Sequence, residues 1–213
     1  MAAPRERSAG AAADAAIGSQ FVLHIDGSYS KTGDLRTGGF ILAPAERAEA
    51  AASDDPEIAA LATLKGRLPN SAARTWDVAG GAALITDGGN LGLSVSRYDS
   101  LYGVPIRYAL EPGEEAEAVR LAVKQTRADM RAEVDVGGTI LDAIRFRAGY
   151  ADYRHQELEE GGAVGTTFYN DSYEARLELV QAARGGWKGA LGGQMMIRNF
   201  RVVGEEKFLP VNE

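Results

Sequence analysis

From Arg127 to Val136 the chain alternates without a break: Ala128, Met130, Ala132, Val134 and Val136 are apolar, and Arg127, Asp129, Arg131, Glu133 and Asp135 are charged. Successive side chains of a β-strand point to opposite sides. Such a strand has one face suited to hydrocarbon and another carrying five charges, which the dry core of a sandwich does not accept without partners. A polar or water-filled lumen does accept them, so the pattern points to the wall of a transmembrane β-barrel.

Other stretches repeat it. Phe21, Leu23, Ile25 and Tyr29 alternate with Gln20, His24, Asp26 and Ser28; Trp76, Val78, Ala82 and Leu84 with Thr75, Asp77 and Gly81; Leu91, Leu93 and Val95 with Gly92, Ser94 and Ser96. Further on, Ile144, Phe146, Ala148 and Tyr150 alternate with Arg145, Arg147 and Tyr153; Tyr173, Ala175, Leu177 and Leu179 with Glu174, Arg176 and Glu178; Trp187, Leu191, Met195 and Ile197 with Lys188, Gln194 and Arg198. Arg7 to Ala16 reads as the tail of one more strand, turning at Ile17 to Ser19. The expected fold is all-β, an antiparallel transmembrane β-barrel wall segment of about seven to eight strands.

The connections sort by parity. Asp87 to Asn90, Gly137 to Thr139 and Arg184 to Gly186 are tight; Thr32 to Ser71, Val104 to Glu117 and Glu157 to Gly165 are long. Outer-membrane barrels have that asymmetry, with short periplasmic turns and long external loops. Trp187 after a tight turn, and Trp76, Tyr102, Tyr150 and Tyr173 toward the long loops, fit interfacial girdles. The longest loop holds the single helical signal, in which Asp54 and Asp55 precede Pro56 and Ile58, Leu61 and Leu64 share a side.

Composition narrows the class. No run of about 18 apolar residues exists, which excludes a membrane helix, and a mean hydropathy of -0.20 is what half-lumenal strands give. The 26 glycines among 213 residues exceed the usual share of roughly 7%, as many tight turns require. A net charge of -7 argues against a nucleic-acid partner. The chain has no cysteine, which is compatible with an oxidising compartment. There is no nucleophile elbow, no GxGxxG and no phosphate loop. Neither an enzyme nor a cofactor is expected.

Candidate ligand contacts lie near the long loops: Tyr98, Asp99, Tyr102, Arg107 and Tyr108 as a polar-aromatic rim, and His155 on the inward face. A metal, if taken up bare, would find His155 with Asp152 and Glu157, since imidazole and carboxylate are suitable ligands. An anionic chelate would instead find Arg107 beside Tyr108. The other histidine, His24, has Asp26 two residues on.

Five segments, VSRYDSLYGVP (Val95 to Pro105), KQTRADMRAEV (Lys124 to Val134), RAGYADYRHQE (Arg147 to Glu157), GTTFYNDSYEARLEL (Gly165 to Leu179) and FRVVGEEKFLP (Phe200 to Pro210), resemble the barrel domain of TonB-dependent outer-membrane receptors, in the branch that includes zinc-uptake receptors. The resemblance implies a 22-stranded barrel around a plug, in the outer membrane of a Gram-negative cell, taking up a scarce metal, metal chelate or siderophore. TonB would act through a plug region that this chain does not contain. Residues 1–213 then form a partial barrel domain, with 1–18 a remnant strand and turn, and the chain is expected to be a fragment without plug or signal peptide. Zinc-uptake relatives carry His-rich segments after the YGVP stretch, where Ile106, Arg107 and Tyr108 stand here. That departure favours a chelate over bare zinc. Two other readings stay open: a small self-contained membrane barrel acting as adhesin or anchor, and a soluble all-β interaction protein.

Overall fold

In the computed structural model, which describes residues 6–106, 108–111, 116 and 118–204, eight antiparallel strands form one sheet in the order β1-β2-β3-β4-β5-β6-β7-β8. They are β1 Glu6–Ile17, β2 Phe21–Thr32, β3 Ala73–Thr86, β4 Gly89–Gly103, β5 Arg120–Asp135, β6 Leu141–Leu158, β7 Val164–Gln181 and β8 Ala190–Gly204. Every strand pairs with its neighbours in sequence, the meander that hairpin connections produce. Among the described residues β1 and β8 do not pair, so the sheet is open, with two bare edges. β6 and β7 each run 18 residues, about 60 Å at ~3.3 Å per residue.

The sheet is one layer with no core. Buried apolar residues among those described are Ala50, Ile58, Val123, Ala143, Val180 and Val202 alone, and the accessible surface is 14467 Å². A folded globular monomer of 22.6 kDa would expose about 9500 Å². Large side chains such as Leu93, Val95, Leu191 and Ile197 stand more than half exposed. An apolar face of this extent, uncovered by any second layer, requires hydrocarbon or protein against it.

Register separates the faces. One rung joins Ala15, Leu23, Ala82, Leu93, Met130, Ala148, Ala175 and Met195, and the next on that face joins Ile17, Phe21, Leu84, Leu91, Ala132, Phe146, Leu177 and Gly193. The apolar belt reaches up to Tyr29 and Trp76 on β2 and β3 but stops at Tyr150 and Tyr173 on β6 and β7, whose rings lie 4.8 Å apart. Above that border the same face turns charged: Tyr29 and Trp76 share their rung with Asp99, Lys124, Arg154, Tyr169 and Arg201. The lower hairpins shift in the same sense, since the last β1-β2 rung is Ile17 with Phe21 and the last β5-β6 rung, Asp135 with Ala143, lies three residues further down. A belt oblique to its rungs is the geometry of strands tilted against it.

Three expectations change. The third long connection is short: the β6-β7 link spans 159–163, less than the 182–189 link on the opposite rim, because pairing continues through polar residues up to Leu158 and Val164. Tyr102 belongs to the polar face, not to a girdle, since it pairs with Leu121 across from Ala73. A second loop helix exists: α1 Pro44–Ala51 precedes α2 Pro56–Leu61. The α2 cap is as expected, with Asp55 accepting from the Glu57 amide at 2.8 Å. By contrast, α1 is Ala- and Glu-rich with no apolar stripe to betray it.

Gly89 closes the β3-β4 hairpin at φ 137°, and a Cβ there would run into the Glu133 carbonyl of β5. Gly89→Ala should destabilise the β3-β4-β5 pairing by about 1–3 kcal/mol, read as a lower urea midpoint when these strands are part of a complete wall. Gly88→Ala, where a Cβ meets open space, is the control. Equal midpoints for the two would contradict this hairpin geometry.

Candidate functional site

Chemistry concentrates on the polar face, in two zones. The lower zone is a lattice of charges paired both across strands and two residues apart on one strand. Arg127 grips Asp129 through Nε and Nη2, both at 2.7 Å. Arg145 reaches Glu133 at 3.1 Å and Glu178 at 3.4 Å, Arg176 holds Glu178 at 2.9 Å, and Gln194 donates to Glu174 at 2.5 Å. On β1 and β2 the His24 ring sits between Asp14, 2.7 Å from Nδ1, and Asp26, 2.8 Å from Nε2. The sequence shows Asp26 beside His24; Asp14 joins only through the β1-β2 register. Small residues on β3 and β4, among them Ala79, Gly81, Gly92 and Ser94, leave a trough of about 490 Å³ between His24 and Arg131.

The upper zone is aromatic. Three successive polar-face rungs carry Tyr98, Gln125, Tyr153, Asn170 and Phe200; then Ser100, Val123, His155, Phe168 and Val202; then Tyr102, Leu121, Glu157 and Thr166. The His155 ring lies 5.0 Å from Phe168 and 6.4 Å edge-on from Tyr153, and Phe168 lies 6.5 Å from Phe200. His155 Nε2 and Asn170 Oδ1 are buried with no hydrogen-bond partner among the described residues. Buried polar atoms ordinarily find partners, and these two lie on adjacent rungs of one face.

Of the residues expected to touch ligand, Tyr98, Tyr102 and His155 share this face, with β5 between the tyrosines and the histidine. Glu157 joins them. Asp99 and Asp152 lie on the opposite face, where Lys124 Nζ comes within 3.7 Å of Asp99 and the Arg201 guanidinium sits 4.4 Å over Tyr169. The register therefore does not place Asp152 beside His155, and no group of three or more His, Asp or Glu able to hold a metal ion is present among the described residues. Arg107 lies outside the described residues. Tyr108, next to it in the long β4-β5 connection, has a buried hydroxyl with no hydrogen-bond partner among the described residues, and burial pushes its pKa up. Parity counted from Tyr173 and from Ile197 turns Phe168 and Phe200 inward, but their contacts with His155 and with each other come only through register.

The arrangement has the means to bind but no catalytic constellation among the described residues: one face of a single sheet offers ordered guanidinium-carboxylate pairs below and stacked rings with open hydrogen-bonding atoms above. No protein-family model matches this chain, and no curated protein does.

Proposed function

We propose that the chain is a stretch of the wall of an outer-membrane β-barrel transporter of the TonB-dependent kind, serving uptake of a scarce nutrient, with its polar face toward the lumen. The observation that carries this reading is the division of a coreless, single-layer sheet into one face with an apolar belt bordered by Tyr29, Trp76, Tyr150 and Tyr173 and another bearing the charged lattice. A soluble protein has no use for such a belt; a bilayer does. The open edges and the β1-to-β8 meander fit a segment of a wider wall. TonB and a plug would be supplied by parts of the receptor outside this chain.

The ligand site is the aromatic zone, with His155, Tyr98, Tyr102 and Tyr153 as its polar contacts. A metal chelate suits it better than a bare ion: flat rings stack on organic chelators, and the described residues assemble no carboxylate-imidazole trio. In the complete receptor, His155→Ala and Tyr153→Ala should each weaken ligand binding about tenfold, the ~1.4 kcal/mol of one good contact. Binding of labelled chelate to cells measures it. Unchanged binding in both variants would remove the zone from the ligand path.

A further inference from the structure

We propose that the Arg131–Arg147–Arg176 row is a docking site for an acidic polypeptide segment seated on the polar face. This rests on the reading of that face as lumenal. The three arginines stand directly opposite one another on β5, β6 and β7. Like charges in that position repel, and of the three only Arg176 is held by an acid, Glu178 at 2.9 Å. Asp129 is taken by Arg127, Glu133 by Arg145, and Glu178 by Arg145 and Arg176, while Glu174 accepts from Gln194. Among the described residues Arg131 and Arg147 form no ion pair, and both side chains are exposed. Beside them a hollow of about 280 Å³ opens where Gly149 has no side chain.

The flanking rungs select the partner. Asp129 and Glu174 lie on one side of the row, Glu133 and Glu178 on the other. A bulky polyanion laid across the row would overlap those acids and be repelled. A single carboxylate on the stem of an Asp or Glu enters between them, and guanidinium groups bind carboxylates bidentately. An acidic loop or strand packed against the wall meets both conditions, and its side chains would neutralise Arg131 and Arg147 without touching the existing pairs.

The test uses the complete receptor in its own outer membrane, with a photo-crosslinking residue at Gly92, which faces Arg131 across the β4-β5 rung and where an added Cβ meets only the Arg131 carbonyl oxygen, at 4.0 Å. Gly92→p-benzoylphenylalanine should crosslink on irradiation to one peptide of the receptor, identified by mass spectrometry as carrying Asp or Glu within a few residues of the bond. Adding Arg131→Glu with Arg147→Glu should lower the crosslink yield at least tenfold, and Arg131→Lys with Arg147→Lys should retain it. A crosslinked peptide without acidic residues, an equal yield after charge reversal, or no crosslink in a correctly inserted, heat-modifiable receptor would each overturn the proposal. Absence of the receptor from the outer-membrane fraction would overturn the lumenal reading itself, an outcome separate from the other three.

Discussion

Replacing Met130 by Arg should cost the folded wall about 2–4 kcal/mol in a bilayer, whereas replacing its neighbour Arg131 by Met should leave insertion intact. Met130 sits in the middle of the apolar belt, between Leu93 on β4 and Ala148 on β6. It also lines a shallow apolar hollow with Val95, Ala128, Tyr150 and Tyr173. A guanidinium there would be flanked by Leu93 and Ala148, with no carboxylate on the neighbouring rungs of its face. Arg131, one residue on, points to the opposite face and makes no ion pair among the described residues, so its loss forfeits at most the contact with the docked segment proposed above and leaves the apolar face untouched. Urea titration in lipid vesicles of the receptor proposed above reads both effects. Equal destabilisation by the two variants would mean that the faces do not see different solvents.

The second large effect concerns the edges. The chain expressed alone should not yield a monomeric folded species. β1 and β8, 12 and 15 residues long, each leave one row of backbone amides and carbonyls unpaired, and in hydrocarbon every such group costs several kcal/mol. In water the same edges template association, and the bare apolar face adds to it. Refolding into detergent, followed by size-exclusion chromatography and gel analysis with and without heating, should show only aggregates. A monomer that migrates differently on heating would show that the eight strands close by themselves, which is the small-barrel alternative.

How much of this the sequence discloses depends on whether the two faces of a strand meet different surroundings. Between Arg127 and Val136 they do, and alternation gives strand, facing and the lower turn together. Upstream, Arg120 to Thr126 extends the same strand, but there Lys124 stands on the apolar-belt face and Gln125 on the other. Leu121 and Val123 put apolar side chains on the face that is charged lower down, and Lys124 puts a charge on the belt face, so the period of two loses its meaning while backbone pairing continues. The upper parts of β6 and β7 are hidden the same way by Asp152, Arg154 and Asp171, which is why the link at 159–163 reads as a longer loop. Helix α1 is invisible to periodicity because Ala50 is its sole buried residue.

The candidate site divides similarly. Counting by twos from Leu93 and Val95 puts Asp99 on their face, and from Ala148 and Tyr150 puts Asp152 on theirs, so parity alone separates both from Tyr98 and His155. Partners on other strands need register. Phe168 reaches His155, and Asp14 reaches His24, only because particular rungs face each other.

The facing of β5 is the central claim, and a cysteine series tests it most directly. Single cysteines at Arg127, Ala128, Asp129, Met130, Arg131, Ala132, Glu133 and Val134 in the complete receptor, in its native membrane, would be exposed in turn to a water-soluble and to a lipid-confined maleimide. The lipid-confined reagent should label positions 128, 130, 132 and 134 and spare the odd positions, with the water-soluble reagent favouring the odd ones wherever the lumen admits it. Labelling of the odd set by the lipid-confined reagent, or of all eight by the water-soluble one, would contradict the account.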